Sequence, residues 1–126
     1  MKIKNLFVLA IAFVVIALST SCSSPTPSDT VKSYYEAMKA GDFEKACKYT
    51  DIADQSDVES FAAALREFGY ELVSYEIISE KVAEDGQSAT VNSKSLQKTV
   101  FNEEPMEDLH EFNLTKEDGK WLIKSE

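Results

Sequence analysis

Val31, Tyr34, Tyr35 and Met38 recur at i, i+3, i+4 and i+7, which sets a valine, two phenols and a methionine on one stripe of a single helix. Such a stripe folds only if another part of the chain covers it. Gly41 supplies the left-handed residue that ends a helix, and Asp42 can accept hydrogen bonds from the free amides of the next one. The spacing predicts a helix from Ser28 or Asp29 to this glycine and a second from Asp42 to about Tyr49. After the polar stretch Asp51 to Asp57, Ser56-Asp57-Val58-Glu59 fits a capping box. It opens a third helix with Val58, Phe61, Ala62, Leu65 and Phe68 on one face and a stop at Gly69.

From Tyr70 the periodicity turns extended. Tyr70 to Val82 is rich in valine, isoleucine and tyrosine, and Asp85-Gly86 marks a turn. Ser88 to Phe101 alternates, Asn102 to Pro105 breaks the pattern, and Met106 to Thr115 resumes it. Lys116-Glu117-Asp118-Gly119 is the next turn, and Lys120 to Ser125 closes the chain. With those four residues as the loop, Leu114 faces Trp121 and Phe112 faces Ile123, placing four large apolar groups on one face. Three helices followed by four antiparallel strands predict an α+β layer, with the N-terminal helices packed on one face of a four-stranded antiparallel sheet.

The amino terminus predicts an address. Lys2 and Lys4 precede an unbroken apolar run from Leu6 to Leu18, well short of the roughly 20 residues a membrane-spanning helix needs but of signal-peptide length. Ser19, Thr20 and Ser21 then lead to Cys22, as in a bacterial lipobox, except that Leu18 stands four residues before the cysteine instead of three. The expected organisation is a lipoprotein signal peptide over 1–21, a lipid-anchored tether over 22–28 and one domain over 29–126. Cys22 would carry diacylglycerol and an amide-linked acyl chain such as palmitate, an anchor that holds where a single chain is marginal. Ordinary secretion with cleavage near Ser21 is the alternative. Ser23 after the cysteine favours the outer membrane, facing the periplasm.

Charge and side-chain inventory narrow the chemistry. A formal net charge of −9 argues against nucleic acid and against direct contact with anionic lipid. Cys47 is the one cysteine besides Cys22 and reads as a small buried hydrophobe. Asp51, Asp54 and Asp57 lack the alternate-residue ligands and central glycine of a calcium loop. His110 is the single histidine, so no histidine metal cluster or serine triad can be assembled. No cofactor and no metal are expected. Glu103, Glu104, Glu107 and Asp108 around Pro105 read as a solvated hairpin tip, with docking of a basic partner as the functional alternative.

The segment Val31-Lys32-Ser33-Tyr34-Tyr35-Glu36-Ala37-Met38-Lys39-Ala40-Gly41-Asp42-Phe43-Glu44-Lys45-Ala46, together with the closing Phe112 to Ile123, resembles small bacterial lipoproteins of unknown function in the nuclear transport factor 2-like, cystatin-like superfamily. Some of these are labelled lumazine-binding. The resemblance spans Ser28 to Glu126 and implies a strongly curved sheet wrapped around the first helix, a cone whose open end can hold a ligand. It also implies dimerisation through the outer sheet face. The short strand that many members insert between helices two and three is not evident here. In the isomerase branch a helix-one tyrosine donates to an oxyanion, and Tyr34 stands at the matching place. That branch also needs an aspartate base on a strand just after helix two, where this chain has Asp57 opening a helix.

One donor without a placed base cannot abstract a proton, so no catalytic residue is assigned. The expected function is a lipid-anchored, non-catalytic envelope module that binds a small molecule or an envelope protein. Tyr34, Tyr35, Tyr75, His110 and Trp121 are the candidate pocket residues. The alternatives are a small isomerase or dehydratase in the cone, or a structural homodimer.

Overall fold

The computed structural model describes residues 25–125; the expected signal peptide and Cys22 lie outside them. Helix α1 (Pro27–Lys39) starts at Pro27, ahead of the Ser28 or Asp29 that the pattern suggested. Thr26 is the reason. Its hydroxyl accepts from Asp29 N at 3.1 Å while the Asp29 carboxylate accepts from Thr26 N at 3.0 Å, a capping box that leaves Pro27 at the position where a missing N–H costs nothing. Glu80 reaches across from the sheet and accepts from Ser28 N at 2.8 Å, setting a negative charge at the helix's positive end.

Gly41, at φ 79°, turns the chain so that Asp42 N donates back to Ala37 O at 2.9 Å. Asp42 caps the short helix α2 (Phe43–Ala46), which tightens into a 3-10 turn over Cys47–Tyr49. Cys47 is buried in this turn, and burial pushes its thiol above the ordinary value, with Glu44 adding to the shift. Thr50 then makes a single parallel bridge to Ile123, and Asp51 N donates to Ile123 O at 2.9 Å. This one-residue contact sits where many cones carry a short strand. Helix α3 (Gln55–Glu67) is capped by Asp54, which accepts from Ser56 N at 2.8 Å, and not by the Ser56 box. A carboxylate is the stronger acceptor, and here the Ser56 hydroxyl also donates to it.

Arg66 near the end of α3 grips Glu44 of α2 through two hydrogen bonds of 2.7 Å. That bidentate contact holds the Glu44 carboxyl down at about 2. Because its folded value is depressed, whatever stability the pair contributes is present above the ordinary glutamate range and is lost as pH falls toward 2. Both side chains are exposed and solvent-screened. The Glu44 carboxyl resonance should titrate near 2 by NMR, and Arg66→Gln should return it to the ordinary range.

Strands β1 (Glu71–Val82), β2 (Ser88–Lys98), β3 (Met106–Glu117) and β4 (Lys120–Ile123) form one antiparallel sheet in sequential order. Two register shifts in β1, at Leu72/Ser74 and Ile77/Ser79, are the bulges that bend a strand and strengthen its twist. They curl the sheet around α1. The last hairpin pairs Leu114 with Ile123 and Lys116 with Trp121, not Leu114 with Trp121 and Phe112 with Ile123. Asp118 and Gly119 both take positive φ, 50° and 78°, the two-residue turn that matches strand twist. The slip is two residues, so the side chains keep their face. Phe112, Leu114, Trp121 and Ile123 remain buried beside Val31, Tyr35, Met38, Phe43 and Ala46.

Gly69 ends α3 at φ 61°, and a Cβ there would stand 2.6 Å from Val100 Cγ1. Gly41 has a similar φ and nothing within 4 Å. Gly41→Ala should therefore cost only left-handed strain, ~1–2 kcal/mol. Gly69→Ala should lower the urea midpoint further, because Val100 must also move.

Candidate functional site

The helices do not close fully on the sheet. Between α1, α3 and the inner face of β2 and β3 lies a hollow of about 220 Å3, with Tyr34, Tyr35, Phe61, Tyr70, Asp108 and His110 in its wall. A second hollow of about 180 Å3 runs from it toward Ile52 and Lys124. Tyr34, Phe61, His110 and Phe112 line both, so the two are lobes separated by side chains. Each lobe is smaller than the ~300 Å3 at the low end of drug-sized ligand pockets.

Strand register explains the sheet side of the wall. Ser93 and Ser95 are buried on β2 and pair with His110 and Asp108 on β3, so both of those side chains leave the sheet on the inner face. His110 packs edge-on against Phe112 with ring centroids 4.4 Å apart. On the helix side, Tyr34 and Tyr35 meet Phe112 at 5.7 and 5.5 Å, each edge to face. The Tyr35 hydroxyl is 2.7 Å from Ser93 Oγ, and Ser93 also donates toward His110 O at 3.3 Å. These serines let a phenol stay buried without an orphaned oxygen.

The other phenols in the wall are unspent. Among the described residues no buried side-chain nitrogen or oxygen is left without a partner, yet the Tyr34 and Tyr70 hydroxyls make no hydrogen bond to protein there. Both residues line the hollow. Burial pushes the Tyr34 phenol up to about 12, with Tyr35 and Cys47 adding to it. Burial also raises Tyr70 well above its ordinary value, reinforced by Tyr34, Tyr35 and Asp108. At neutral pH both phenols hold their protons, which makes them hydrogen-bond groups and not bases.

The five residues expected to line one pocket are divided. Tyr34, Tyr35 and His110 come together there. Tyr75 stands behind them, stacked on Tyr35 at 4.8 Å and donating to Glu36 Oε2 at 2.7 Å. Burial first, then that carboxylate, raises its phenol to about 12. Trp121 is buried near the start of α1, where its carbonyl accepts from Thr30 Oγ1 at 3.5 Å. It borders a separate hollow with Pro25, Lys48 and Tyr49. Asp57 is exposed in the first turn of α3; the carboxylate in the wall is Asp108, which the sequence pattern had assigned to a solvated hairpin tip. Its signal was parity, two residues before His110 on one strand. Tyr70, next to the Gly69 stop, was likewise missed. Among the described residues no cluster of acidic, histidine or cysteine side chains could hold a metal ion, and no helix is long and apolar enough to cross a membrane.

Solved structures share this architecture. A nuclear transport factor 2-like protein of unknown function from Shewanella oneidensis aligns with TM-score 0.58 at 20% identity, over 78% of this chain and 94% of that one. A ketosteroid isomerase-like protein from Erwinia carotovora gives 0.58 at 14%, over 77% and 88%. A protein of unknown function with a cystatin-like fold from Nostoc punctiforme gives 0.54 at 13%, over 76% and 81%. No family model matches the sequence, and no curated protein matches it. The chain has the nuclear transport factor 2-like cone fold, an α+β sheet curled around its first helix. At such identities the likeness shows the fold alone.

Proposed function

We propose that this is a lipid-anchored envelope protein whose cone binds a small organic ligand and releases it unchanged. The observation that carries the reading is the pair of tyrosines without a hydrogen-bond partner among the described residues, Tyr34 and Tyr70, lining an aromatic hollow whose wall also holds His110 and Asp108. Apolar walls with a few convergent polar groups are what a small-molecule site requires. Protonated phenols can fix a ligand's polar atom but cannot take its proton. The anchor is the acylated Cys22. The two residues between it and Pro25, Ser23 and Ser24, span at most ~3.6 Å each, which keeps the cone near the lipid surface.

The second reading, a small isomerase or dehydratase, draws on one specific feature, the Asp108 carboxylate in the same wall as Tyr34. One experiment separates the two. The full chain is screened by thermal shift against small aromatic and heterocyclic compounds, and each hit is followed by NMR of both partners. Binding should move the Tyr34, Tyr70 and Asp108 resonances and be weakened by Phe61→Trp, which narrows both lobes, while the compound's own spectrum stays constant over hours. A compound consumed catalytically, with loss of turnover in Asp108→Asn, would establish the enzyme. For the anchor, Cys22→Ser should move the protein from the membrane fraction to the soluble one and remove the acyl mass; unchanged partition would refute lipidation at this residue.

A further inference from the structure

The hollow has a sign. The Tyr34, Tyr35 and Phe112 rings are inclined to one another at 59°, 69° and 83°, with centroids 5.5 to 5.9 Å apart. They make a corner of steeply crossed planes instead of a flat wall. Aromatic faces carry the negative end of the ring quadrupole, and phenol oxygens offer lone pairs. Asp108 adds a carboxylate at the exposed rim of the lobe. Among the described residues, no lysine or arginine lines the 220 Å3 lobe. The carboxylate, the phenol oxygens and the rings favour positive charge, Ser95, Gln97 and His110 complete the polar part of the wall, and the −9 of the whole chain points the same way.

That composition discriminates between ligand classes. An anion would meet the Asp108 carboxylate with no lysine or arginine in the lobe to offset it. A hard metal ion needs about six or more oxygens, and this wall is mostly carbon. An organic ammonium is different, because its charge is spread over alkyl groups that shed water readily and fit against ring faces. A phenol can turn its lone pairs to such a cation and its proton to water. The volume limits the guest to a compact head group.

We propose that the lobe between α1, α3 and β3 is a receptor for a small quaternary or protonated alkylammonium, its charge set against Asp108 and the rings of Tyr34, Tyr35 and Phe112. The proposal rests on the ligand-binding reading above and adds the class of ligand.

Choline and 3,3-dimethylbutan-1-ol have the same shape, and only the first is charged. Titrated into the full chain and followed by NMR, choline should move the Tyr34, Asp108 and Phe112 resonances and bind at least about ten-fold more tightly than the alcohol. Asp108→Asn should remove most of that difference and leave the alcohol's affinity unchanged. Tyr34→Phe, which keeps the ring, should retain most of the choline affinity, and Tyr34→Leu should lose it. Equal binding of both probes would overturn the cation assignment and leave an uncharged-ligand site. If neither probe, nor the neutral apolar probe indole, moves any resonance of the hollow, the cation assignment and the ligand-binding reading fail together. The comparison of two probes on the unmodified chain decides the matter even if a variant fails to fold.

Discussion

Val31→Asp should leave the protein unfolded at pH 7 and 25 °C. Val31 is fully buried in α1, in one cluster with Val91, Leu114 and Trp121. The substitution forfeits ~1.5–3 kcal/mol of valine burial and adds the effective cost of desolvating an unpaired carboxylate, several kcal/mol more. Together these approach or exceed the ~5–15 kcal/mol that holds a domain of this kind together. Far-UV circular dichroism and urea unfolding read the outcome directly. Val31→Thr is the matched control. It keeps the shape, its hydroxyl can bond back into the preceding helical turn, and its cost should stay within ~1–3 kcal/mol, leaving a folded protein. A Val31→Asp protein with an unchanged urea midpoint would mean that the α1 stripe is not covered by the sheet in solution.

How far the chain could be read in advance follows from which physics acts locally. The α1 stripe, the Gly41 and Gly69 stops and the switch to strand periodicity at Tyr70 are properties of neighbouring residues, and they gave three helices and four strands in the right order. Caps were less legible because several acceptors compete within a few residues. Thr26 caps ahead of the expected start at Ser28 or Asp29, and Asp54 won over the Ser56 box, through contacts that one-dimensional spacing does not rank. The β3–β4 register was misplaced by two residues, yet the buried set survived because strand faces alternate with period two. The bulges in β1 break that alternation and leave no sequence mark. They determine that Leu72, Tyr75 and Ile77 all pack toward the helices, although Leu72 and Tyr75 are an odd number of residues apart.

The candidate site was half legible for the same reason. Tyr34 and Tyr35 announce themselves on a helical stripe, and His110 shares parity with Phe112 and Leu114. Which residues come together across elements depends on curvature and register. That is why Trp121, on the correct face, borders a different hollow, and why Asp108 belongs to the wall although its neighbours Glu103 and Glu104 belong to the hairpin tip.

Phe112→Ala should be nearly as costly as the charge in the core, but its damage should be reparable. Phe112 is buried, and its ring is the common neighbour of Tyr34, Tyr35 and His110. Truncation removes three aromatic contacts and leaves a void, an expected loss of ~3–5 kcal/mol. Because Phe112 lines both lobes, the void joins them into one space. An apolar guest that binds the folded state should then restore stability by mass action, ~2.7 kcal/mol at a hundred times its dissociation constant. The measurement is the urea midpoint of the variant with and without indole, beside the same pair for the unmodified protein. A large loss that indole partly reverses only in the variant would establish Phe112 as the partition between two real lobes. A small loss with no rescue would mean that Phe61 or Tyr34 collapses into the gap. The cone would then be a deformable core, and Phe112 a packing residue with no bearing on what the hollow can admit.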